Sequence, residues 1–141
     1  PYLASHAVEF SLTHAAYYAA CALDASPVGL DLEAPRITMA VAKRYFHPQE
    51  LAFLEALPEP EQTDTLLRLW TIKEAYTKQL GSGLHIPLDS FYADLRENGL
   101  YLYKGSRRIP VHLHEYRPDS LRLCLCSNSE RPEITQFIPN L

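Results

Sequence analysis

The segment Trp70-Thr71-Ile72-Lys73-Glu74-Ala75-Tyr76-Thr77-Lys78, read with Val28-Gly29-Leu30-Asp31-Leu32-Glu33 upstream, decides the architecture of this chain. In the first, Trp70, Glu74 and Lys78 fall at i, i+4 and i+8, one stripe of a helix. In the second, Gly29, Asp31 and Glu33 alternate with Val28, Leu30 and Leu32, which is the pattern of a strand with an apolar face and an acidic face. Carboxylates side by side on one strand face repel each other, so a positive partner is expected between them. A hard divalent cation, Mg2+ or Mn2+, fits this need, because it takes carboxylate oxygens and fills its shell with substrate phosphates. Asp31 and Glu33 then supply the cradle and Glu74 closes it from the helix, with Lys73 and Lys78 facing the anionic remainder of a phosphate-bearing substrate. Either segment alone fits a solvated strand end or a surface Glu-Lys pair worth about 0.2–0.5 kcal/mol. Their combination favours the metal reading.

Working outward, Glu9 to Thr13, Tyr17 to Leu23 and Val28 to Glu33 read as three strands, with Asp24-Ala25-Ser26-Pro27 as a turn. Thr38 is an N-cap candidate for a helix through Tyr45, and Pro48 suits the first position of a second through Ala56. Pro58 and Pro60 separate that helix from a long one over Glu61 to Leu80, with Leu66, Leu69, Trp70 and Ile72 in its core face and Gly81 ending it. Strands follow at Phe91 to Leu95, Leu100 to Tyr103, Val111 to Tyr116 and Leu121 to Cys126, and Asn98-Gly99 is a hairpin signal. Strands, helices, then strands imply an α+β fold, an antiparallel sheet packed on one long helix. No linker or repeat interrupts residues 1–141, which read as one domain.

The formal charge of −4 argues against a general nucleic-acid binder, which needs a basic face. No apolar run approaches the length of a membrane span, and no signal-peptide pattern opens the chain. Cys21, Cys124 and Cys126 make a poor disulfide framework, and the last two alternate with Leu123 and Leu125 as buried strand residues. A reducing, cytoplasmic compartment is expected. His112 and His114 share a strand face but have no evident third ligand. The tyrosines, Tyr17, Tyr18 and Tyr76 among them, read as core and rim aromatics, and Phe46, Phe53 and Leu54 as helix-packing core.

The two opening segments resemble the paired signatures of the 4'-phosphopantetheinyl transferases, V/I-G-hydrophobic-D and W/F-S/T/C-x-K-E-A/S-x-x-K. Phe10-Ser11-Leu12-Thr13-His14 resembles the family's F-N-hydrophobic-S-H strand, and Phe46-His47-Pro48-Gln49-Glu50 its F-x-x-x-E turn. Gly81-Ser82-Gly83-Leu84 with Pro87-Leu88 resembles its G-x-G-L loop. The likeness runs from about Pro1 to Asp94 and fades beyond it. The resemblance implies transfer of phosphopantetheine from coenzyme A to a serine of an apo acyl or peptidyl carrier protein, releasing adenosine 3',5'-bisphosphate. It implies Asp31, Glu33 and Glu74 as ligands of Mg2+ or Mn2+, with Glu74 also a candidate acceptor of the serine proton. It further implies Lys78 on the diphosphate, Lys73 nearby and His14 on the 3'-phosphate. Thr13 stands where the family has serine and keeps a hydroxyl.

Pro1 falls where a family G-K-P element would end, so the chain looks like the second half of a two-lobed enzyme of the surfactin-synthetase-activating type. Two expectations follow from that. The chain is an active transferase, or it is a coenzyme A- or carrier-binding lobe that is inactive without the other half. A lobe cut from a two-lobed fold is also expected to expose an apolar face that promotes self-association.

Overall fold

The computed structural model describes residues 8–81, 85–95 and 99–133. The chain opens with a hairpin of β1 (Glu9–Ala15) and β2 (Tyr18–Asp24), in which Phe10 faces Leu23 and Leu12 faces Cys21. Between them Ala16 adopts φ 53°, the left-handed conformation of a tight turn. The Asp24 carboxylate accepts bonds from the backbone N–H and hydroxyl of Ser26, closing the turn into β3 (Gly29–Glu33). Three helices follow: α1 (Met39–Tyr45), α2 (Pro48–Ala56) and α3 (Glu59–Gln79). Short strands β4 (Tyr92–Asp94), β5 (Tyr101–Lys104) and β6 (Arg107–Arg108) form one antiparallel sheet. β7 (His112–Tyr116) and β8 (Arg122–Ser127) join β3 in a second, in the order β3-β8-β7.

The long helix lies across the β3-β8-β7 sheet, which gives the α+β arrangement read from the sequence. Asp31 pairs with Cys124 and Gly29 with Cys126, so these four residues share the sheet face turned toward α3. There the core gathers Ala42, Phe46, Leu54, Leu66, Leu69, Ile72, Ala75, Cys124 and Cys126. Burial pushes the Cys126 thiol up to about 12 and Cys124 well above the ordinary thiol range, so both remain protonated packing groups. Along the outer half of α3, Arg68 grips Glu115 of β7 through two bonds of 2.7 and 2.6 Å. Arg122 of β8 pairs with Asp64, which Arg117 also approaches at 3.2 Å. These ion pairs fix the roll of the helix on the sheet.

Several boundaries differ from the sequence reading for physical reasons. α3 begins at Glu59, with Pro58 as its N-cap residue, because Pro60 sits in the first turn where no N–H bond is lost. Gly81, at φ 65°, ends the helix as expected. Thr38 precedes α1 but makes no side-chain cap bond, whereas His47 and Glu50 form a reciprocal capping box on α2. Trp70 is only half-buried, stacked on Phe46 at 6.3 Å, and is a rim residue rather than a sealed one. Tyr17 is fully exposed at the hairpin tip, correcting its reading as core or rim. β6, closed by Gly105 at φ 59°, is an added strand. Pro1, Ser82 to Leu84 and Asn98 lie outside the described residues. Among the described residues no helix is long and apolar enough to cross a membrane.

Candidate functional site

Gly29 brings β3 and α3 together. A Cβ at this position would lie 1.9 Å from the Ala75 carbonyl oxygen and 2.4 Å from the Gln79 nitrogen, so only glycine allows the strand to touch the helix backbone. Two residues on, the same strand face presents Asp31 to Lys78, and two further on it presents Glu33. All five residues of β3 are buried, so the acidic face is not a solvated strand end but one packed against the helix.

Lys78 Nζ donates to Asp31 Oδ1 at 2.6 Å and to the Leu30 carbonyl at 3.1 Å. The other carboxylate oxygen, Asp31 Oδ2, is buried without a hydrogen-bond partner, and so is Glu74 Oε1. Arg36 holds Glu33 at 3.1 Å from outside. Burial raises the Asp31 pKa above its ordinary value, against the opposing pull of Lys78, and Glu33 adds to the rise. Burial also raises Glu74, and the neighbouring Asp31 and Glu33 carboxylates add to it. The three carboxylates therefore act on one another as one electrostatic cluster. Its donors are all oxygens, two of them buried and unsatisfied, which suits a hard divalent cation. In this conformation no three acidic, histidine or cysteine side chains among the described residues close around a single point.

Lys73 departs from expectation. Its side chain is 0% exposed, and Nζ donates to Glu50 Oε1 at 2.9 Å and to the Phe91 carbonyl at 2.8 Å. Its ammonium also lies 4.3 Å from the centre of the Phe91 ring. Glu50 in turn accepts the N–H groups of His47 and Ala93. Lys73 thus ties α3 to α2 and β4 from inside the core, and its sealed ammonium does not face an anionic substrate. A signal for this existed: Lys73 sits at i+7 from Leu66 and i+4 from Leu69, on the apolar stripe rather than the Trp70-Glu74-Lys78 stripe.

Thr13 Oγ1 accepts the Leu32 N–H at 3.0 Å, and Ser11 Oγ accepts the Leu30 N–H at 2.9 Å. The two hydroxyls of β1 thereby satisfy the free edge of β3, and Thr13 retains its own proton for another acceptor. His14 is exposed and lines an apolar hollow with Leu12, Ala19, Ala20 and Cys21. A larger cleft of about 760 Å³ opens beside the acidic cluster, with Glu33 and Glu74 in its wall. Arg44, Tyr45, Trp70 and the turn at Ile86–Asp89 complete it. Arg36 and Arg44 are absent from the sequence reading: Arg36 pairs with Glu33 three residues before it, and Arg44 reaches the cleft from α1. His114 Nε2 lies 2.9 Å from the Ser129 carbonyl, a contact between β7 and the segment that follows β8.

A family profile described as the 4'-phosphopantetheinyl transferase superfamily matches residues 27–126. The chain belongs to that superfamily. Its relatives include the 4'-phosphopantetheinyl transferase Sfp of Bacillus subtilis (strain 168), 34% identical over 121 residues, covering 84% of this chain and 54% of the relative. The 4'-phosphopantetheinyl transferase gsp of Aneurinibacillus migulanus is 33% identical over 109 residues, covering 77% of this chain and 46% of the relative. The chain thus spans about half the length of these curated relatives, which are of the Sfp type. Among solved structures, the holo-[acyl-carrier-protein] synthase (AcpS) of Thermotoga maritima superposes with a TM-score of 0.57 at 18% identity. That match covers 71% of this chain and 61% of the synthase, and it shows the shared fold. The segment matched to the phosphopantetheinyl transferase superfamily contains Asp31, Glu33, Glu74 and Lys78, while Thr13 and His14 lie before it.

Proposed function

We propose that this chain transfers 4'-phosphopantetheine from coenzyme A to a serine hydroxyl of an apo acyl or peptidyl carrier protein, releasing adenosine 3',5'-bisphosphate. The serine oxygen forms a bond to the phosphorus that carries the pantetheine arm, and that phosphorus loses its bond to the bridging oxygen of the diphosphate. Catalysis then asks for charge neutralisation, in-line positioning and removal of the serine proton. Asp31, Glu33 and Glu74 are the residues to hold a Mg2+ or Mn2+ ion, which would supply charge neutralisation on the diphosphate. Lys78 stands next to them with a partly exposed ammonium for a phosphate oxygen. Glu74, with an unpartnered oxygen and a raised pKa, is the acceptor for the serine proton. His14 of β1 is assigned to the 3'-phosphate, and Thr13, on the opposite strand face, offers its hydroxyl as a further donor to coenzyme A. Lys73 has no place in this scheme.

The observation that carries the reading is the pair of buried, unsatisfied carboxylate oxygens of Asp31 and Glu74 at the edge of a cleft large enough for a substrate arm. The cytoplasm, where coenzyme A and reduced thiols coexist, is the proposed compartment, in keeping with three free cysteines.

A second reading has its own support, in the half-length match to the relatives and the exposed apolar residues Leu12, Tyr17 and Leu23. Under it the chain is a coenzyme A- or carrier-binding lobe that needs the remaining half for turnover and self-associates without it. Intact-mass spectrometry of an apo carrier protein incubated with the chain, coenzyme A and Mg2+ separates the two. A gain of one phosphopantetheine, lost on chelation, supports the first. No gain, with transfer restored once the chain is extended to the relatives' full length, supports the second. No transfer in either form removes the transferase reading.

A further inference from the structure

Among the described residues, the acidic cluster at the β3–α3 contact contains an arrangement that a set of metal ligands alone does not call for. The Asp31 side chain is only 5% exposed, yet one of its oxygens has no partner and the other is engaged by Lys78 at 2.6 Å. Lys78 is itself 33% exposed and is held otherwise only by the Leu30 carbonyl. Glu33 is likewise held by a cation, Arg36, whose side chain is 72% exposed. Two of the three carboxylates therefore each carry a monovalent cation from the chain itself, and Glu74 stands apart with an empty-handed oxygen.

We infer that Lys78 is a resident place-holder for the divalent cation, occupying Asp31 until the ion enters and being released from it when the ion binds. The inference rests on the reading of Asp31, Glu33 and Glu74 as metal ligands. Its physical basis is competition for one buried carboxylate. An ammonium on Asp31 Oδ1 and a divalent ion on the free Oδ2 repel each other at that separation, so entry of the ion weakens the hold of Lys78 on the carboxylate. Without any cation, Asp31 would be an uncompensated buried charge, so the chain carries its own. Lysine suits the role because its charge sits on a flexible four-carbon stem, and partial exposure gives the ammonium a route outward. Arginine would bind the carboxylate through two parallel bonds and let go less readily.

Three variants and one labelling reaction test this with Mn2+ alone as the probe. Binding is read from loss of the free-ion signal in electron paramagnetic resonance, and folding of each variant is checked by circular dichroism. Lys78→Met is expected to bind Mn2+ about tenfold tighter than the unaltered chain, equivalent to about 1.4 kcal/mol. Lys78→Arg is expected to bind it more weakly, and Asp31→Asn to bind it least. In the unaltered chain, acylation of Lys78 by an amine-reactive reagent, followed by peptide mass spectrometry, is expected to accelerate when Mn2+ is added. Acceleration at the surface residue Lys104 serves as the control and is not expected. Mn2+ binding with an unchanged Lys78 labelling rate, or equal affinities for the Met, Lys and Arg forms, overturns the exchange and leaves the metal reading intact. Absence of Mn2+ binding in both the unaltered chain and Lys78→Met overturns the metal reading and the exchange together. Should Lys78→Met fail to fold, the labelling result in the unaltered chain decides.

Discussion

At Gly29 the cost of a single methyl group can be read from the backbone. A Cβ there would meet the Ala75 carbonyl and the Gln79 nitrogen, both fixed within a helix and neither able to rotate away. Gly29→Ala is therefore expected to destabilise the chain by about 1–3 kcal/mol, the usual range for overpacking, as measured by urea unfolding. An unchanged midpoint would mean that β3 and α3 are not in contact. Glu74 offers the opposite case. Its folded pKa is raised by burial, then by Asp31, so the folded chain holds this proton more tightly than the unfolded chain does. Its contribution to stability is thus greatest below the unfolded pKa and declines as pH rises from that value through the folded one. Asp31 has the same sign. Without divalent cation, Glu74→Gln is expected to raise stability at pH 7 by about 1 kcal/mol, the scale of one unsatisfied buried acceptor. The gain should shrink toward zero below about pH 4, where the native carboxylate is protonated in both states. Thermal unfolding at the two pH values checks it, and a variant less stable at pH 7 would show that Glu74 already has a good partner.

On the scale of elements, the Lys73–Glu50 pair joins α3, α2 and β4 with both side chains essentially sealed, at 0% and 1% exposure. Burial lowers the Lys73 pKa, and the Glu50 carboxylate opposes that shift. Lys73→Met leaves a buried carboxylate alone and is expected to cost about 3–5 kcal/mol, whereas Lys73→Met with Glu50→Leu should recover part of the loss. Urea unfolding of the two singles and the double measures the coupling. An additive double would mean that each side chain acts through packing alone. This pair also shows what the sequence could and could not say. Proline and glycine punctuation located α2 to the residue and the end of α3, because those residues act through local backbone geometry. The carboxylates of the β3 and α3 signatures were legible for a similar reason, as period-two and period-four patterns. Lys73 was misread because its charge suggested a ligand while its place on the apolar stripe meant a core position. Glu50 and Arg44 take their roles from contacts between separate elements, which no local pattern encodes, whereas the Arg36–Glu33 pair is local, three residues apart. β4 lies within the strand read at Phe91 to Leu95, whereas β6, two residues long, exists only through pairing with β5.

For the molecule as a whole, the hairpin of β1 and β2 is the part least accounted for by the core. Ser11 and Thr13 tie its inner face to β3 through side-chain hydroxyls. The register places Phe10, Leu12 and His14 on the opposite face with Ala19, Cys21 and Leu23. There Leu12 is 56% and Leu23 67% exposed, and the hollow between the strands is lined almost entirely by apolar groups. Contiguous apolar surface of this kind is costly to leave in water, and a second apolar surface relieves the cost. The chain is therefore expected to self-associate at micromolar concentration, read by sedimentation velocity. Replacing both exposed leucines, Leu12→Ser with Leu23→Ser, should shift it toward monomer while changing stability by no more than about 0.5 kcal/mol, as for surface positions generally. Loss of stability well beyond that would mean that the two leucines belong to the core. Unchanged association would place the contact on another face. Because the substituted residues lie outside the β3–α3 cluster, Mn2+ binding in this variant should match the parent, which separates the two surfaces experimentally.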